Sequence, residues 1–338
     1  MTAPICCSIV PPFLLDALGR ADDTAMSSRA LHTLQTDQAV RTARARAAKV
    51  TEENEPNRTI YDANNAETLP GDVVREENEE PTGDDAVDDS YAHLGATWRF
   101  FSEAYDRNSI NGRGLPLLAT VHYGEEYQNA FWNGDQMVFG DGDGTVFLAF
   151  TGPLDITAHE LTHGVTQYTA NLAYENQAGA LNESMSDVFG VLTKQHKLEQ
   201  TADQADWLIG KGLLGPDING KALRSMAEPG TAYDDPQLGK DPQPATMDDY
   251  VDTTDDNGGV HINSGIPNHA FYLAATALGG NAWERAGLVW YQVLTSGDLA
   301  TDADFATFAE LTVDQAGSLD KEVQDAVKKA WTDVKVLS

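Results

Sequence analysis

Two histidines, His159 and His163, stand four residues apart in the stretch TAHELTHG, and Glu160 directly follows the first of them. On an α-helix this spacing puts both side chains on one face about one turn apart, so their ring nitrogens can converge on one tetrahedral ion. Glu160 is placed to act on a water at that ion while the histidines hold it. The same five-residue pattern also occurs by chance, so alone it is equally compatible with a solvated helical face.

A second segment, NESMSD at residues 182–187, adds carboxylates of the right kind. A catalytic zinc takes three protein ligands and keeps one position open, and Glu183 offers the third ligand. Asp187 lies four residues on, where it can accept the outer N–H of a ligand histidine and fix its tautomer. Because two carboxylates at this spacing gain nothing on a purely structural helix, the pair favours a metal site.

A third histidine, His261, follows the glycine turn of DDNGGVHINSG at residues 255–265. At the start of a helical pattern its imidazole can lean into a cleft, and Asp256 can orient the ring. Taken alone, His261 would be an ordinary buried or surface histidine, and only its surroundings favour a functional place.

The elements that must position these residues fall into three parts. Residues 1–50 predict a helix from Ser27 to Lys49, and the acidic stretch 51–89 predicts loops with a few exposed strands. Residues 117–150 are strand-like in TVHYG, QMVFG and TVFLAF. After Asp155 the pattern predicts helices over 155–170, 177–198, 203–212, 264–278, 281–295, 303–317 and 319–335.

The composition limits the classes of partner. The chain has 338 residues, 41% of them hydrophobic, and a net charge of −31, which reflects either a solvated surface or adaptation to a salty environment. Such a charge argues against nucleic acid or an anionic membrane as a partner. No window has the length and apolar character of a membrane helix, and the first twenty residues show no classical signal peptide. The adjacent Cys6 and Cys7 do not indicate a disulfide scaffold, so we expect synthesis in the cytoplasm, with export by a non-classical route as an alternative.

Six motifs in the same order make the sequence resemble the thermolysin family of zinc metalloendopeptidases. They are HELTH, NESMSD, NAFWNG at 129–134, GDGDG at 140–144, LRSM at 223–226 and GGVHINSGI at 258–266. The resemblance runs from about Arg58 to the C-terminus. It implies an α+β, two-lobed protease with a β-rich lobe at 51–153, a helical lobe at 154–338 and the HExxH helix between them.

The resemblance also implies a role for each matching residue. His159, His163 and Glu183 would bind zinc, Glu160 would be the general base, and His261 and Tyr174 would stabilise the oxyanion. The supporting set would be Asp187, Asn182 and Asp256, and the substrate would meet Asn129, Ala130 and Arg224. Thermolysin-type members also bind a pair of calcium ions. Asp155 and Asp206 match that site, but Lys194, Leu208 and Lys211 stand where carboxylates are expected, so the double calcium site is predicted to be absent.

The first fifty residues are similar to the short inhibitory prosegment of the protealysin-like branch. Pro11 and Pro12 have no N–H to donate and favour an extended chain, so this segment could lie in the cleft with Phe13, Leu14 or Leu15 in an apolar pocket. Alternatively, the segment PPFLL only starts a helix that packs on the surface. A thiolate of Cys6 or Cys7 could occupy the open zinc position, or both could be small buried side chains. The bond Lys49–Val50 is a candidate processing site.

The predicted function is a zinc endopeptidase, made as a self-inhibited precursor, that cuts protein or peptide substrates before bulky hydrophobic residues. Its first partner would be its own prosegment. Two other readings remain: a catalytically silent, zinc-stabilised binding protein that uses the same cleft, and an exopeptidase, for which the sequence shows no device that captures a free terminus.

Overall fold

The computed structural model describes residues 7–21, 23–40 and 55–338, with only the backbone of Cys7 and residues 38–40. The strands are β1 (Cys7–Ser8), β2 (Arg58–Asp62), β3 (Asp72–Glu76), β4 (Leu117–Val121), β5 (Ala130–Trp132), β6 (Met137–Phe139), β7 (Leu208–Ile209), β8 (Arg224–Ser225), β9 (Asp234–Asp235) and β10 (Gly239–Lys240). The helices are α1 (Pro12–Gly19), α2 (Thr24–Val40), α3 (Asp85–Tyr105), α4 (Leu154–Gln167), α5 (Asn176–Leu198), α6 (Asp256–Asn263), α7 (Gly265–Leu278), α8 (Ala286–Thr295), α9 (Phe305–Leu319) and α10 (Lys321–Asp333), with a 3₁₀ turn at Met247–Asp249.

The larger sheet belongs to the N-terminal half and has the order β1-β5-β6-β4-β2-β3 among the described residues. Strand β4 runs parallel to both β2 and β6, whereas β5 is antiparallel to β6. At the edge, β1 pairs antiparallel with β5, with Cys7 opposite Trp132 and Ser8 opposite Phe131. A segment far upstream in the sequence therefore completes the sheet next to the helical half.

The C-terminal half is helical, and its central pair, α4 and α5, forms the base of the molecule's cleft. Gly190 on α5 permits their close approach, because a Cβ there would lie 2.9 Å from the carbonyl oxygen of Asp155. Behind them, the indoles of Trp290 on α8 and Trp331 on α10 stack with centroids 5.9 Å apart, and both are fully buried. Such large buried rings contribute much of a core's stabilisation. The predicted α+β architecture is confirmed.

One strand prediction and one helix prediction are wrong. TVFLAF at residues 145–150 forms only an isolated bridge, Phe147 to Leu214, because the carboxylate of Asp143 accepts the amides of residues 145, 146 and 147 that a partner strand would need. Residues 203–212 are not helical. Trp207 has φ of 54° there, and β7 pairs with β8, so a non-local strand pair replaces the helix.

Other boundaries also differ from the sequence prediction. Helix α3 begins at Asp85, inside the stretch predicted as loops, and the side chain of Asp84 accepts the amides of Ala86 and Val87 at 2.9 and 3.3 Å. An Asp before an apolar run is a helix-start signal, and it was available in the sequence. Helix α8 begins at Ala286 rather than at 281. Helix α2 is described to Val40, so the predicted continuation to Lys49 lies outside the described residues.

No helix in the described part of the chain has the length and apolar character that crossing a membrane requires.

His122 joins the sheet to the start of α3 and provides a pH-dependent contribution to stability. Its ring contacts Asp141 at 2.9 Å and Asp84 at 3.1 Å, and the hydrogen bond to Asp141, with the charge of both carboxylates, raises the pKa of His122 to about 9. Because the folded-state pKa lies above the ordinary value of 6.5, this contribution is complete below pH 6.5 and is lost as pH rises through 9.

We expect His122→Gln to cost on the order of 1 kcal/mol of unfolding free energy at pH 6, since the carboxylates are partly exposed and solvent screens them. The cost should shrink by pH 9.5. Chemical denaturation of the two proteins at both pH values measures this difference, and an equal cost at both would contradict the charged state of His122.

Candidate metal centre and substrate cleft

The histidine pair lies on α4 with both rings buried, His159 at 0% and His163 at 3% exposure. The outer nitrogen of His159, Nδ1, donates to Asp187 at 2.8 Å. His163 Nδ1 donates to the amide oxygen of Asn182 at 2.9 Å, and the Asn182 amide nitrogen is itself fixed by the carbonyl of Leu172. Because both outer nitrogens hold the protons, both Nε2 atoms present lone pairs to the interior of the site.

Glu183 on α5 completes this set. Its carboxylate lies 3.5 Å from His159 Nε2 and 3.3 Å from His163 Nε2, and the three ligand atoms lie within 4.8 Å of one another. The hydroxyl of Tyr174 donates to Glu183 Oε1, whereas Oε2 is buried without a hydrogen-bond partner among the described residues.

These donors fit a divalent cation. The two Nε2 atoms are 3.1 Å apart, and two imidazole lone pairs facing each other and a carboxylate repel unless a positive charge lies among them. Two nitrogens and one carboxylate oxygen are also the ligand set that zinc takes in catalytic sites, with a fourth position left for a reactant.

Glu160 faces the same space from α4 and is fully buried. One carboxylate oxygen, Oε2, accepts the backbone N–H of Trp132 at 3.0 Å, and the other has no hydrogen-bond partner among the described residues. Burial raises the pKa of Glu160 well above its ordinary value. A dication beside it would favour the carboxylate again, which keeps Glu160 able to accept a proton.

Asp187 on α5 forms hydrogen bonds to residues of three other elements, α4, β8 and α7, next to the candidate ligands. Besides His159, its carboxylate accepts Nε and Nη2 of Arg224 and the amide of Asn268, each at 2.8 Å. Although burial opposes the charge, Arg224 and His159 lower the pKa of Asp187 to about 2. The carboxylate therefore stays charged and holds the His159 ring and the Arg224 guanidinium in fixed positions.

His261 lies across the cleft on α6, beyond a bend at which Gly258 has φ of 87°. Its Nδ1 contacts Asp256 at 2.7 Å, and its Nε2 lies 3.2 Å from the Tyr174 hydroxyl and 3.6 Å from Glu183 Oε2. Burial opposes the imidazolium form, but the carboxylates of Asp256 and Glu183 raise the pKa of His261. Its Nε2–H therefore points a hydrogen-bond donor into the cleft beside the ligand set.

The cleft holds a strand of the same chain. The carbonyl of Ser8 accepts from His261 Nε2 at 3.1 Å, and the amide of Ile9 donates to the Ala130 carbonyl at 3.1 Å. Arg224 Nη1 donates to the Ile9 carbonyl at 3.2 Å.

The next residue, Val10, bonds at both its amide and its carbonyl to the Asn129 side chain, at 2.9 and 3.3 Å. Residues 8–10 thus lie along β5 as an extended peptide, with Ile9 and Val10 both fully buried.

Helix α2 holds this strand in place from outside. Asp37 accepts the hydroxyl of Tyr127, and its second oxygen accepts the Asn129 amide at 2.8 Å. Arg29 pairs with Glu126, and the ring of His32 lies 2.6 Å from Glu67. This N-terminal segment therefore docks through backbone pairing in the cleft and through charged contacts around it.

The sequence-predicted site residues meet in one place, with a correction in the prosegment. His159, His163, Glu160, Glu183, Tyr174, Asp187, Asn182, Asp256, His261, Asn129, Ala130 and Arg224 all line or support the cleft. The strand along β5, however, is Ser8–Val10, not the proline pair. Helix α1 begins at Pro12 and includes Phe13 and Leu14, which is the helical alternative for PPFLL. The possible zinc contact of Cys6 and of the Cys7 side chain lies outside the described residues.

Sequence reasoning missed three supports of the site. The Trp132 amide that binds Glu160 lies in the NAFWNG motif, but a backbone role leaves no mark in side-chain chemistry. Asn268 is 81 positions from Asp187, and no spacing connects them. Gln243 donates to the carbonyl of His261 at 2.8 Å from a loop that no motif marked.

Comparisons with known proteins agree with this geometry. Family models match at residues 23–167, the thermolysin metallopeptidase catalytic domain, and at 170–336, its alpha-helical domain. An extracellular metalloprotease of Pectobacterium carotovorum subsp. carotovorum is 50% identical, covering 98% of this chain and 96% of the relative. Protease PrtS of Photorhabdus sp. (strain Az29) is 48% identical, covering 96% and 91%.

A solved structure gives the same result for the whole chain. The precursor of protealysin, a metalloproteinase from Serratia proteamaculans, matches with a TM-score of 0.92 at 55% identity, covering 98% of this chain and 100% of that one. With half of its residues identical to those of a metalloprotease over nearly its whole length, the chain belongs to the thermolysin family of zinc metalloendopeptidases, as a prosegment-containing precursor of the protealysin-like branch.

Proposed function

We propose that this chain is a latent zinc endopeptidase in which the predicted residues carry the predicted roles. The observation that supports this most directly is the peptide strand in its cleft. The carbonyl of Ser8 faces His261, beside three converging ligand atoms and the carboxylate of Glu160. His159, His163 and Glu183 would hold the zinc.

When bound, zinc would supply a Lewis acid at the scissile carbonyl and lower the pKa of a water toward about 7. Glu160 would take a proton from the attacking water and pass it to the nitrogen of the leaving amine. In the prosegment strand, the amide at that position donates to the Ala130 carbonyl. His261, oriented by Asp256, and Tyr174 donate hydrogen bonds to the oxygen on which negative charge develops. Arg224 and Asn129 hold the substrate backbone beyond the scissile bond.

The position of Ile9 supports a preference for bulky apolar residues after the cut. Its amide meets Ala130 and its carbonyl meets Arg224, the contacts of the first residue of a leaving segment, and its side chain is fully buried. Since burial of an aliphatic side chain stabilises a complex by about 1.5–3 kcal/mol, a comparable substrate residue would bind there well. Residues 8–10, as part of a prosegment of residues 1–50, would thus inhibit in cis by filling the cleft. The lobes at 51–153 and 154–338 would form the mature enzyme.

We further propose that a lysine replaces the double calcium site. Lys194 Nζ lies 2.7 Å from Asp155, 3.0 Å from Asp206 and 2.6 Å from the carbonyl of Leu208. Lys211 reaches Asp206 from the other side at 3.3 Å. An ammonium among these oxygens neutralises the carboxylates and opposes the approach of Ca²⁺.

Metal removal tests both proposals together. We expect a zinc-selective chelator to abolish hydrolysis of casein by the processed enzyme and stoichiometric zinc to restore it. Calcium at millimolar concentration should neither restore activity nor change the midpoint of thermal unfolding, because Lys194 already supplies the positive charge. Full activity without zinc would contradict the zinc mechanism, whereas no hydrolysis by the zinc-loaded, processed chain would indicate a silent binding protein. Stabilisation by calcium would contradict the lysine replacement alone.

The names of relatives bear on where the enzyme acts. Two relatives carry names that place them outside the cell or call them proteases. We propose that this chain also acts outside the cell. The candidate processing bond Lys49–Val50 lies outside the described residues.

A further inference from the structure

The prosegment strand is bound in a defined register, and the register identifies one peptide bond. The Ser8 carbonyl accepts from His261 at 3.1 Å, while the next amide, that of Ile9, donates to the Ala130 carbonyl at 3.1 Å. The bond between these two groups is Ser8–Ile9. The flanking pairs agree, since Cys7 lies opposite Trp132 and Ile9 and Val10 meet Arg224 and Asn129.

The carboxylate of Glu160 meets β5 one residue from this bond. Its Oε2 accepts the amide of Trp132, and Trp132 is the residue of β5 that lies opposite Cys7. The proline pair does not protect the bond. Pro11 and Pro12 lie C-terminal to it. The nitrogen of the bond belongs to Ile9, which, unlike proline, has an N–H, and that N–H donates to the Ala130 carbonyl.

We propose that Ser8–Ile9 is a self-cleavage site, hydrolysed in cis inside the inhibited precursor. In this step water adds across the bond: its hydroxyl joins the Ser8 carbonyl carbon, the bond from that carbon to the Ile9 nitrogen breaks, and Glu160 transfers the proton to that nitrogen. The products are residues 1–8 with a new carboxylate and a chain that begins at the amino group of Ile9.

The cut does not by itself open the cleft. After it, Ile9 and Val10 keep their bonds to Arg224 and Asn129, and α2 keeps Asp37 on Tyr127 and Asn129 and Arg29 on Glu126. The chain that begins at Ile9 therefore stays bound as a product, and the pairing of Cys7 and Ser8 with β5 holds the new carboxylate beside it for resynthesis. Release of the prosegment requires a second cut C-terminal to α2.

This inference rests on the proposed endopeptidase function, and a heavy-oxygen experiment tests it separately. The full-length, zinc-loaded chain is incubated in H₂¹⁸O, quenched with a chelator and analysed by peptide mass spectrometry. Hydrolysis puts one ¹⁸O at Ser8, and resynthesis leaves part of it in the intact carbonyl, so turnover is visible whether the bond is found cut or joined. We expect ¹⁸O at residue 8, at a rate independent of protein concentration.

Three variants test the register and the chemistry. Ile9→Pro removes the amide that donates to Ala130 and should abolish labelling at residue 8, whereas Ile9→Leu should keep it. Glu160→Gln should slow labelling by about 10²-fold or more. Absence of ¹⁸O at residue 8, or label at a neighbouring residue instead, in a preparation that later hydrolyses casein would overturn the inference and leave the endopeptidase proposal standing. If nothing is hydrolysed anywhere, the endopeptidase proposal itself fails.

Discussion

Replacement of Glu160 by Gln is expected to lower peptide hydrolysis by about 10²–10⁴-fold while zinc stays bound. The amide has nearly the same shape and can still accept the Trp132 N–H that Glu160 Oε2 accepts at 3.0 Å. It cannot accept a proton at neutral pH, so the water loses its base. Because Glu160 is not among the three converging ligand atoms, the metal site keeps its full set.

The measurements are the rate of casein hydrolysis, the extent of self-processing and the zinc content of the purified chain. Self-processing is measured on the purified variant alone, and only for the casein assay is its prosegment removed by a trace of tagged wild-type enzyme, which is then withdrawn. Glu310→Gln makes the same chemical change on the exposed face of α9 and should leave all three quantities unchanged. Wild-type activity in the Glu160→Gln enzyme would contradict the proposed role of Glu160 as the general base.

Replacement of Asp187 by Ala is expected to weaken both zinc binding and the fold. The carboxylate orients the His159 ring, and loss of such a support typically lowers metal affinity 10–100-fold. The same change leaves the buried guanidinium of Arg224 without its partner, a defect that costs about 3–5 kcal/mol of unfolding free energy. Asn268 also loses its acceptor.

Zinc affinity by chelator competition and the free energy of unfolding of the metal-free chain separate the two effects. Asp88→Ala is the matched control, because Asp88 pairs with Arg75 at 2.8 Å in the β-rich half and is partly exposed. It should lower stability less and leave zinc affinity unchanged. Equal zinc affinity in Asp187→Ala and wild type would show that the carboxylate does not position His159.

The chemical identity of the site was predictable because it is encoded locally. An i, i+4 pair on a helix shares a face in any fold, so HELTH fixes the relation of His159, Glu160 and His163 before any tertiary contact forms. The same holds for Glu183 and Asp187 on α5. The remaining site residues were predicted from the resemblance to the thermolysin family, which rests on six motifs in the same order. Each of these residues lies in or beside the cleft.

Local patterns failed where long-range contacts determine the structure. TVFLAF has the composition of a strand, but the Asp143 carboxylate accepts the amides of its first three residues, so these amides do not pair with a neighbouring strand. The helical pattern at 203–212 is overridden by Arg224–Ser225, which pairs with Leu208–Ile209 from another part of the chain. Propensity is a weak preference that such contacts outweigh.

By itself, the sequence determined the three candidate ligands, the place of Glu160 beside them and the family, since these depend on spacing within single helices and on motifs in order. Only the tertiary structure decided that Ser8–Val10, rather than Pro11 and Pro12, lies along β5, and that Lys194 sits between Asp155 and Asp206. The physical reason is register. Pairing of β1 with β5 joins residues more than 120 positions apart, and a shift by one residue would present a different peptide bond to Glu160 without changing any local pattern.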